Sequence, residues 1–188
     1  SGVAASAAAV LANLKTGDHA ICADKPYGWT AELFNNFLPR YGVATTFVDG
    51  TKISNFEQAL QPNTRLIMLE SPNSFTFELQ DLEAVSRLAK AHDIVTVLDN
   101  TQAGSLGQHA AKLGIDLIVH TGSKYYGGHS DLVAGVVCGS GERMQQLFYD
   151  HYLLFGSIIS PNDAWLMLRS LRTLDLRLDK INHNAMAV

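Results

Sequence analysis

The sequence predicts an α/β fold of three layers, α/β/α, with helices on both faces of a mostly parallel central sheet. The strand candidates are continuous apolar runs, without the alternation of strands that face water on one side, which is typical of strands buried on both faces. Helical patterns separate most of these runs. The 188 residues, 47% of them hydrophobic, are enough for one such core.

The first half of the chain predicts three helices and three strands. An Ala-rich helix ends at Gly17, a residue that often follows a helix. Thr30 is expected to cap a second helix that Gly42 ends. A short third helix turns Phe56 inward. The predicted helices are 3–14, 30–41 and 54–61, and the predicted strands are 19–23, 43–48 and 65–69.

The second half continues this alternation. An amphipathic helix carries Leu82, Val85 and Leu88 on one side. The strand after it stops at Asp99, and a later apolar run leads directly to Lys124. The predicted helices are 80–92, 109–113, 142–155 and a segment from 161 onward, and the predicted strands are 94–98, 116–120 and 132–138.

Composition argues against several classes of protein. The net charge of −4 does not suggest a nucleic-acid-binding surface, which usually appears as a basic stripe. No apolar run reaches the roughly 18 residues of a membrane span, and the first residues lack the charged region of a signal peptide. Cys22 and Cys138 lie in apolar runs, so we expect two buried thiols in a reducing compartment and a cytoplasmic location.

Four polar segments follow predicted strands, at the carboxyl ends where open sheets of this kind bind ligands. They are Tyr27, residues 70–74, Asp99 and residues 121–124. The last lies in LIVHTGSKYYGGHSD, where one lysine follows a buried strand among small and hydroxyl residues. A surface lysine needs no such setting.

Familiar catalytic motifs are missing from the sequence. There is no G-x-G-x-x-G after a strand, no P-loop and no G-x-S-x-G. His129, Ser130 and Asp131 are adjacent, so they cannot face one another as a catalytic triad does. The histidines have no paired spacing on a helix, and we predict no metal site.

The remaining residues match what pyridoxal phosphate requires. A lysine amine, activated by partial desolvation, forms a Schiff base with its aldehyde, and Lys124 is suited to this. A carboxylate such as Asp99 keeps the ring nitrogen protonated, and Tyr27 can stack on the ring. The phosphate needs hydroxyls and the backbone N–H groups of a helix start.

Each of these residues also has an ordinary structural interpretation. Lys124 can be a surface lysine, Asp99 a turn residue and Tyr27 a half-buried loop residue. The start of the first helix and the hydroxyl residues Thr121 and Ser123 can likewise be local features of the backbone.

The run at residues 95–137, VTVLDNTQAGSLGQHAAKLGIDLIVHTGSKYYGGHSDLVAGVV, closely resembles the cysteine and methionine metabolism family of pyridoxal-phosphate enzymes. This family has the aspartate-aminotransferase-like fold, also called fold type I. Further similar segments are SGVAA, GDHAI, YGWT, ESPNS and GSIISPNDAWLMLRSLRTLDLRL. The resemblance therefore spans essentially the whole chain.

The resemblance implies a role for each matching residue. Lys124 is implied to carry pyridoxal phosphate as a Schiff base, Asp99 to pair with the pyridinium nitrogen, and Tyr27 to stack on the ring and assist proton transfer. The implied phosphate ligands are the backbone N–H groups of Gly2 and Val3 and the hydroxyls of Thr121 and Ser123.

The resemblance also implies a reaction. Ser74 stands where the common form E-S-P-x-N-P has an asparagine, which is similar to bacterial cystathionine β-lyases. The implied reaction is β-elimination of L-cystathionine to homocysteine, pyruvate and ammonia. The alternatives are a cystathionine γ-synthase, a γ-lyase, an O-acetylhomoserine sulfhydrylase, or an inactive cofactor domain that acts only in folding or assembly.

The family further implies an organisation for the whole protein. Residues 1–188 correspond to its cofactor-binding domain, so we expect a fragment without the N-terminal arm and the C-terminal domain. We also expect a sulfur amino acid as the small-molecule substrate, a homotetramer built as a dimer of dimers, and no nucleic-acid or membrane partner.

Overall fold

The computed structural model describes residues 1–188 and contains one sheet of six strands. The strands are β1 (His19–Ala23), β2 (Ala44–Val48), β3 (Thr64–Glu70), β4 (Val95–Asp99), β5 (Leu117–Thr121) and β6 (Gly135–Gly139). The α-helices are α1 (Gly2–Leu11), α2 (Gly28–Glu32), α3 (Ile53–Ala59), α4 (Leu82–Ala91), α5 (Gly104–Gly107), α6 (Gly141–Leu147), α7 (Leu153–Phe155), α8 (Pro161–Leu171) and α9 (Leu174–Ala187). Tighter or wider helical turns lie at Leu33–Phe37, Leu38–Tyr41, Ala110–Leu113 and Phe148–Tyr152.

The strand order across the sheet is β2-β1-β3-β4-β5-β6. The first five strands run parallel, and only the edge strand β6 runs antiparallel, beside β5. The carboxyl ends of β1, β3, β4 and β5 therefore meet at one edge of the sheet. At this edge Glu70 is the register partner of Asp99, and Asp99 is the partner of Val119.

Apolar side chains fill both faces of the sheet. On one face Ile21, Phe56 and Leu98 belong to a buried cluster under α3 and α4. On the other, Val10 and Phe34 belong to a second cluster under α1 and the segment that follows α2. The predicted three-layer α/β/α class with a mostly parallel sheet is confirmed.

The helix after β1 begins earlier than its sequence predicts. Tyr27 occupies the N-cap position and Gly28 the first helical position, whereas Thr30 is buried inside the first turn. The carboxylate of Glu70 accepts the Tyr27 N–H at 2.7 Å, and this distant contact fixes where the chain turns into the helix. Gly42 ends the segment at φ 72°, as predicted.

The prediction that both cysteines are buried is correct for Cys22 and wrong for Cys138. β6 is an edge strand, and the residue near its end is left uncovered. The short helix α5 was not predicted, and a wider helical turn interrupts the predicted helix 142–155. No helix combines the length and apolarity needed to cross a membrane.

His19 gives the fold a pH dependence. Its buried ring joins three strands, since Nδ1 lies 2.8 Å from Thr64 Oγ1 and Nε2 lies 2.9 Å from Thr46 Oγ1. Burial lowers the pKa of His19 below the ordinary 6.5. The unfolded chain then takes up this proton first as the pH falls, so stability is lost as the pH drops below about 6.5.

His19→Gln is expected to destabilise the protein by about 1–3 kcal/mol at pH 8, because buried hydroxyls lose a partner. The difference from the native protein should shrink as the pH falls below 6.5. Urea unfolding at several pH values measures this, with the exposed His183→Gln as control. A difference that is constant with pH would contradict the assignment.

Candidate functional site

A cavity of about 1020 Å³ opens at the carboxyl ends of the strands. The structure brings all seven sequence-predicted site residues to its wall: Gly2, Val3, Tyr27, Asp99, Thr121, Ser123 and Lys124. They come from four separate parts of the chain. Their convergence follows from the parallel order of β1, β3, β4 and β5.

The start of α1 forms one end of the cavity. The first N–H groups of a helix have no intrahelical acceptor. Here the N–H of Ala4 is capped by Ser1 Oγ at 3.2 Å, and the N–H of Ala5 binds Ser1 O. The N–H groups of Gly2 and Val3 remain as donors at the positive end of the helix, which suits an anion.

Close packing fixes this helix start against the sheet. A Cβ on Gly2 would overlap the side chain of Thr121, and one on Gly135 would overlap Ser1 O. The hydroxyl of Ser123 accepts the Ala134 N–H at 3.1 Å, so its own O–H remains free to donate. Backbone donors and hydroxyls therefore lie side by side.

Gly2→Ala is expected to destabilise the protein by about 1–3 kcal/mol through overpacking against Thr121. It should also weaken binding of pyridoxal phosphate by about tenfold or more, since about 1.4 kcal/mol corresponds to tenfold. Thermal unfolding and cofactor titration measure the two effects. Gly141→Ala is a matched control, because Gly141 also opens a helix and an added Cβ meets nothing within 4 Å. If Gly2→Ala and Gly141→Ala bound the cofactor equally well, the assignment of the start of α1 to the phosphate would be refuted.

Asp99 is a buried carboxylate without a cation partner. It ends β4 with 7% of its surface exposed and takes part in no ion pair. Burial raises the pKa of Asp99, hydrogen bonds from Thr101 oppose this rise, and the charge of Glu70 adds to it. The Thr101 N–H donates to Oδ1 at 3.0 Å. A cationic ring nitrogen in the cavity would stabilise this charge.

Lys124 lies in a tight turn after β5. The Gly128 N–H donates to Lys124 O at 2.7 Å, and the Gly127 N–H donates to Gly122 O at 2.8 Å. The lysine itself is exposed. The expected partial desolvation of its amine is therefore not provided within residues 1–188.

Two residues of the neighbouring His-Ser-Asp segment, His129 and Asp131, have structural partners. His129 Nδ1 lies 2.7 Å from Gly127 O, and Asp131 pairs with Arg169 at 3.0 Å. The two side chains thus have separate partners. This geometry agrees with the rejection of a catalytic triad.

The sequence analysis placed residues 70–74 at this edge but gave Glu70 no role, and in the structure Glu70 accepts the N–H groups of Tyr27 and Ser74. Sequence reasoning missed other residues of the cavity wall. Arg177 and Lys180 reach the cavity from α9. Arg177 also donates to Tyr125 O at 2.6 Å, a contact across 52 residues for which the local pattern gave no signal.

The family model described as Cys/Met metabolism PLP-dependent enzyme matches residues 1–188. The chain belongs to this family. It is similar to a probable cystathionine gamma-synthase of Herpetosiphon aurantiacus, with 37% identity over 100% of this chain and 59% of that protein. It is 36% identical to cystathionine beta-lyase MetC of Bacillus subtilis (strain 168), over 98% of this chain and 47% of that protein.

A solved relative within the Cys/Met metabolism family is cystathionine gamma-lyase from Lactobacillus plantarum, complexed with L-serine. The TM-score is 0.87 at 34% identity, over 93% of this chain and 45% of that one. The chain thus spans about half the length of the relatives that it matches. These relatives are named for different reactions, so the family is established and the reaction is not resolved.

Family membership confirms the predicted cofactor, since the family depends on pyridoxal phosphate. The residues present fit this group. The glycine at the start of α1 gives close access to backbone donors beside Thr121, and Asp99 is a buried carboxyl group without a cation partner. Lys124 contributes an amine to the same cavity.

Proposed function

We propose that residues 1–188 form the pyridoxal-phosphate-binding domain of a carbon–sulfur lyase that cleaves L-cystathionine by β-elimination. The observation that carries the proposal is the meeting of Lys124, Asp99 and the start of α1 in one cavity. The preference for β-elimination rests on the turn after β3, where Ser74 departs from the common family pattern.

We assign the cofactor contacts as follows. Lys124 would bind the aldehyde carbon, Asp99 would pair with the ring nitrogen, and Tyr27 would stack on the ring. The N–H groups of Gly2 and Val3 and the hydroxyls of Thr121 and Ser123 would hold the phosphate. When bound, the cofactor supplies an electron sink for the negative charge that deprotonation leaves on the substrate Cα.

The Lys124 amine would remove the proton from the substrate Cα. The Tyr27 hydroxyl, as a phenolate, is the alternative base. Homocysteine thiolate then leaves from Cβ and takes up a proton. Water hydrolyses the remaining three-carbon enamine, so one cystathionine and one water give homocysteine, pyruvate and ammonia.

The test is to incubate the holoenzyme with L-cystathionine and to identify the keto acid. Pyruvate supports β-elimination. 2-Oxobutyrate supports the second candidate, γ-cleavage, the reaction for which the similar cystathionine gamma-lyase from Lactobacillus plantarum is named. A lysine-bound cofactor without turnover of any sulfur amino acid supports the inactive cofactor domain.

The proposal includes a homotetramer in the cytoplasm. Exposed apolar side chains in α8 and in the segment between α6 and α8 are consistent with subunit contacts, as such patches often mark interfaces. They include Tyr149, Leu154, Phe155, Trp165 and Leu168. Sedimentation velocity measures the assembly, and a monomer at micromolar concentration would contradict this part of the proposal.

A further inference from the structure

Two segments at the rim of the cavity are bonded to each other. We define the β3 turn as residues 71–78 and the Tyr27 loop as residues 24–27. The β3 turn contains Ser74, where the chain departs from the common family form, and the Tyr27 loop carries the proposed stacking ring. Two buried polar side chains, Glu70 and Asn73, connect these segments.

Glu70 holds one backbone N–H from each segment. Its carboxylate accepts Tyr27 N–H at 2.7 Å through Oε2 and Ser74 N–H at 2.6 Å through Oε1. Glu70 is 3% exposed and has no ion-pair partner. The side chain of Gln80 fixes its backbone in turn, accepting Glu70 N–H at 3.2 Å and donating to Glu70 O at 2.8 Å.

Asn73 makes the second connection. Its Nδ2 donates to Lys25 O at 2.6 Å and to Asp24 O at 3.4 Å, both in the Tyr27 loop. Its Oδ1 accepts N–H groups of the β3 turn, from Phe75 at 3.0 Å and from Thr76 at 3.3 Å. The side chain is 1% exposed. The Nδ2 group of Asn73 thus binds the Tyr27 loop, and its Oδ1 atom binds the β3 turn.

A surface ion pair adds a third link. Lys25 Nζ lies 3.2 Å from Glu78 Oε1, with both side chains about half exposed. Such pairs contribute little to stability in water. The connection therefore depends on the two buried side chains, because a buried polar group that loses its partner is costly.

We infer that Glu70 and Asn73 are positioning residues that make the β3 turn and the Tyr27 loop one rigid unit. The sequence of the β3 turn thereby sets the position of the Tyr27 ring over the cofactor and the space left for the substrate. In this chain Asn73, the residue before Ser74, is the buried side chain that joins the two segments. The inference rests on the proposed function only for the role of Tyr27.

The sharpest variant is Asn73→Asp. It keeps the oxygen that accepts bonds within the β3 turn, and it replaces the donor to the Tyr27 loop with an oxygen that repels the two carbonyls. The matched control is Asn63→Asp, because Asn63 Nδ2 donates to Gly17 O at 2.8 Å at the opposite end of the sheet.

Hydrogen exchange of the apoprotein measures the coupling without any cofactor. In Asn73→Asp we expect residues 24–31 to exchange about tenfold faster or more, because loss of the connector frees the loop to open locally. Asn63→Asp should leave these residues unchanged. Equal exchange in the two variants would overturn the coupling.

The visible circular dichroism of bound cofactor, per mole of cofactor, measures the effect on the site. We expect Asn73→Asp to change this band and to raise KM at least as much as it lowers kcat, whereas loss of stability alone would lower only the amount of holoenzyme. An unchanged band would overturn the claim that the β3 turn sets the Tyr27 ring.

Glu70→Gln is the second variant if Asn73→Asp does not fold, and it is read by the same exchange and dichroism measurements. A glutamine retains one acceptor oxygen, so it loses one of the two bonds. Its control is Asp116→Asn, since Asp116 also accepts a backbone N–H, from Thr96 at 2.9 Å, far from the cavity. If the proposed function were wrong, the unsubstituted protein would not bind the cofactor through a lysine. The hydrogen-exchange difference between the variants would still be observed.

Discussion

Lys124→Ala is expected to abolish the visible absorption band of a cofactor bound covalently to lysine. It should also lower turnover by about 10²–10⁴-fold or more, the usual contribution of a positioned acid–base group. The reason is that, in the proposed function, this lysine both anchors the cofactor and moves the proton of the substrate Cα. Absorption spectra of the reconstituted protein and steady-state rates measure the two effects.

Lys124→Arg separates the covalent bond from the charge, because a guanidinium keeps the charge and forms no such bond. We expect it to resemble Lys124→Ala in its spectrum. Lys52→Ala, at an exposed surface pair, should behave as the native protein. A band that survives in Lys124→Ala would refute the assignment, and Lys180, on the same cavity wall, would be the next residue to replace.

Asp99→Asn is expected to lower turnover by about 10²–10³-fold, comparable to loss of a single electrostatic contact with developing charge. An amide cannot hold the ring nitrogen in its protonated form, so the electron sink is weakened. The fold should survive, because an asparagine fills the same volume and still accepts the Thr101 N–H. Near-native turnover would remove the electronic role of Asp99.

The same substitution should stabilise the apoprotein. The folded-state pKa of Asp99 is raised above the ordinary 3.8, so the native state binds this proton more tightly than the unfolded chain does. The aspartate therefore costs stability as the pH rises through its folded pKa, and the cost is absent below about 3.8. Asp99→Asn should raise the Tm of apoprotein at pH 7, with a gain that vanishes towards pH 3.8. A lower Tm at pH 7 would contradict this.

The strands were predictable because burial on both faces leaves an apolar run that composition alone identifies. All six lie where the sequence predicted them, with ends that differ by up to three residues. The positions of Asp99 and Lys124 in the cavity followed from the strand-end rule. The prediction that Thr30 caps the second helix was wrong, because the carboxylate of Glu70, 43 residues from Tyr27, binds the Tyr27 N–H and starts the helix earlier.

The other errors and omissions have the same physical origin. An apolar run such as that around Cys138 reads identically in a central strand and in an edge strand, so its exposure depends on the order of the sheet. Glu70, Asn73 and Arg177 act through contacts with segments far away in sequence. The positions of such side chains are set by tertiary packing, and a local pattern does not contain them.

The packing of Gly2 on Thr121 and of Ser1 on Gly135 has a consequence for the order of folding. The helix start that we assign to the phosphate belongs to the first residues of the chain, yet the last two strands hold it in place. Such distant contacts form late, because a long loop must close first. A growing chain should therefore gain affinity for pyridoxal phosphate only after residue 135 has been synthesised and β6 has paired. The cofactor would then bind selectively to chains in which these six strands have formed.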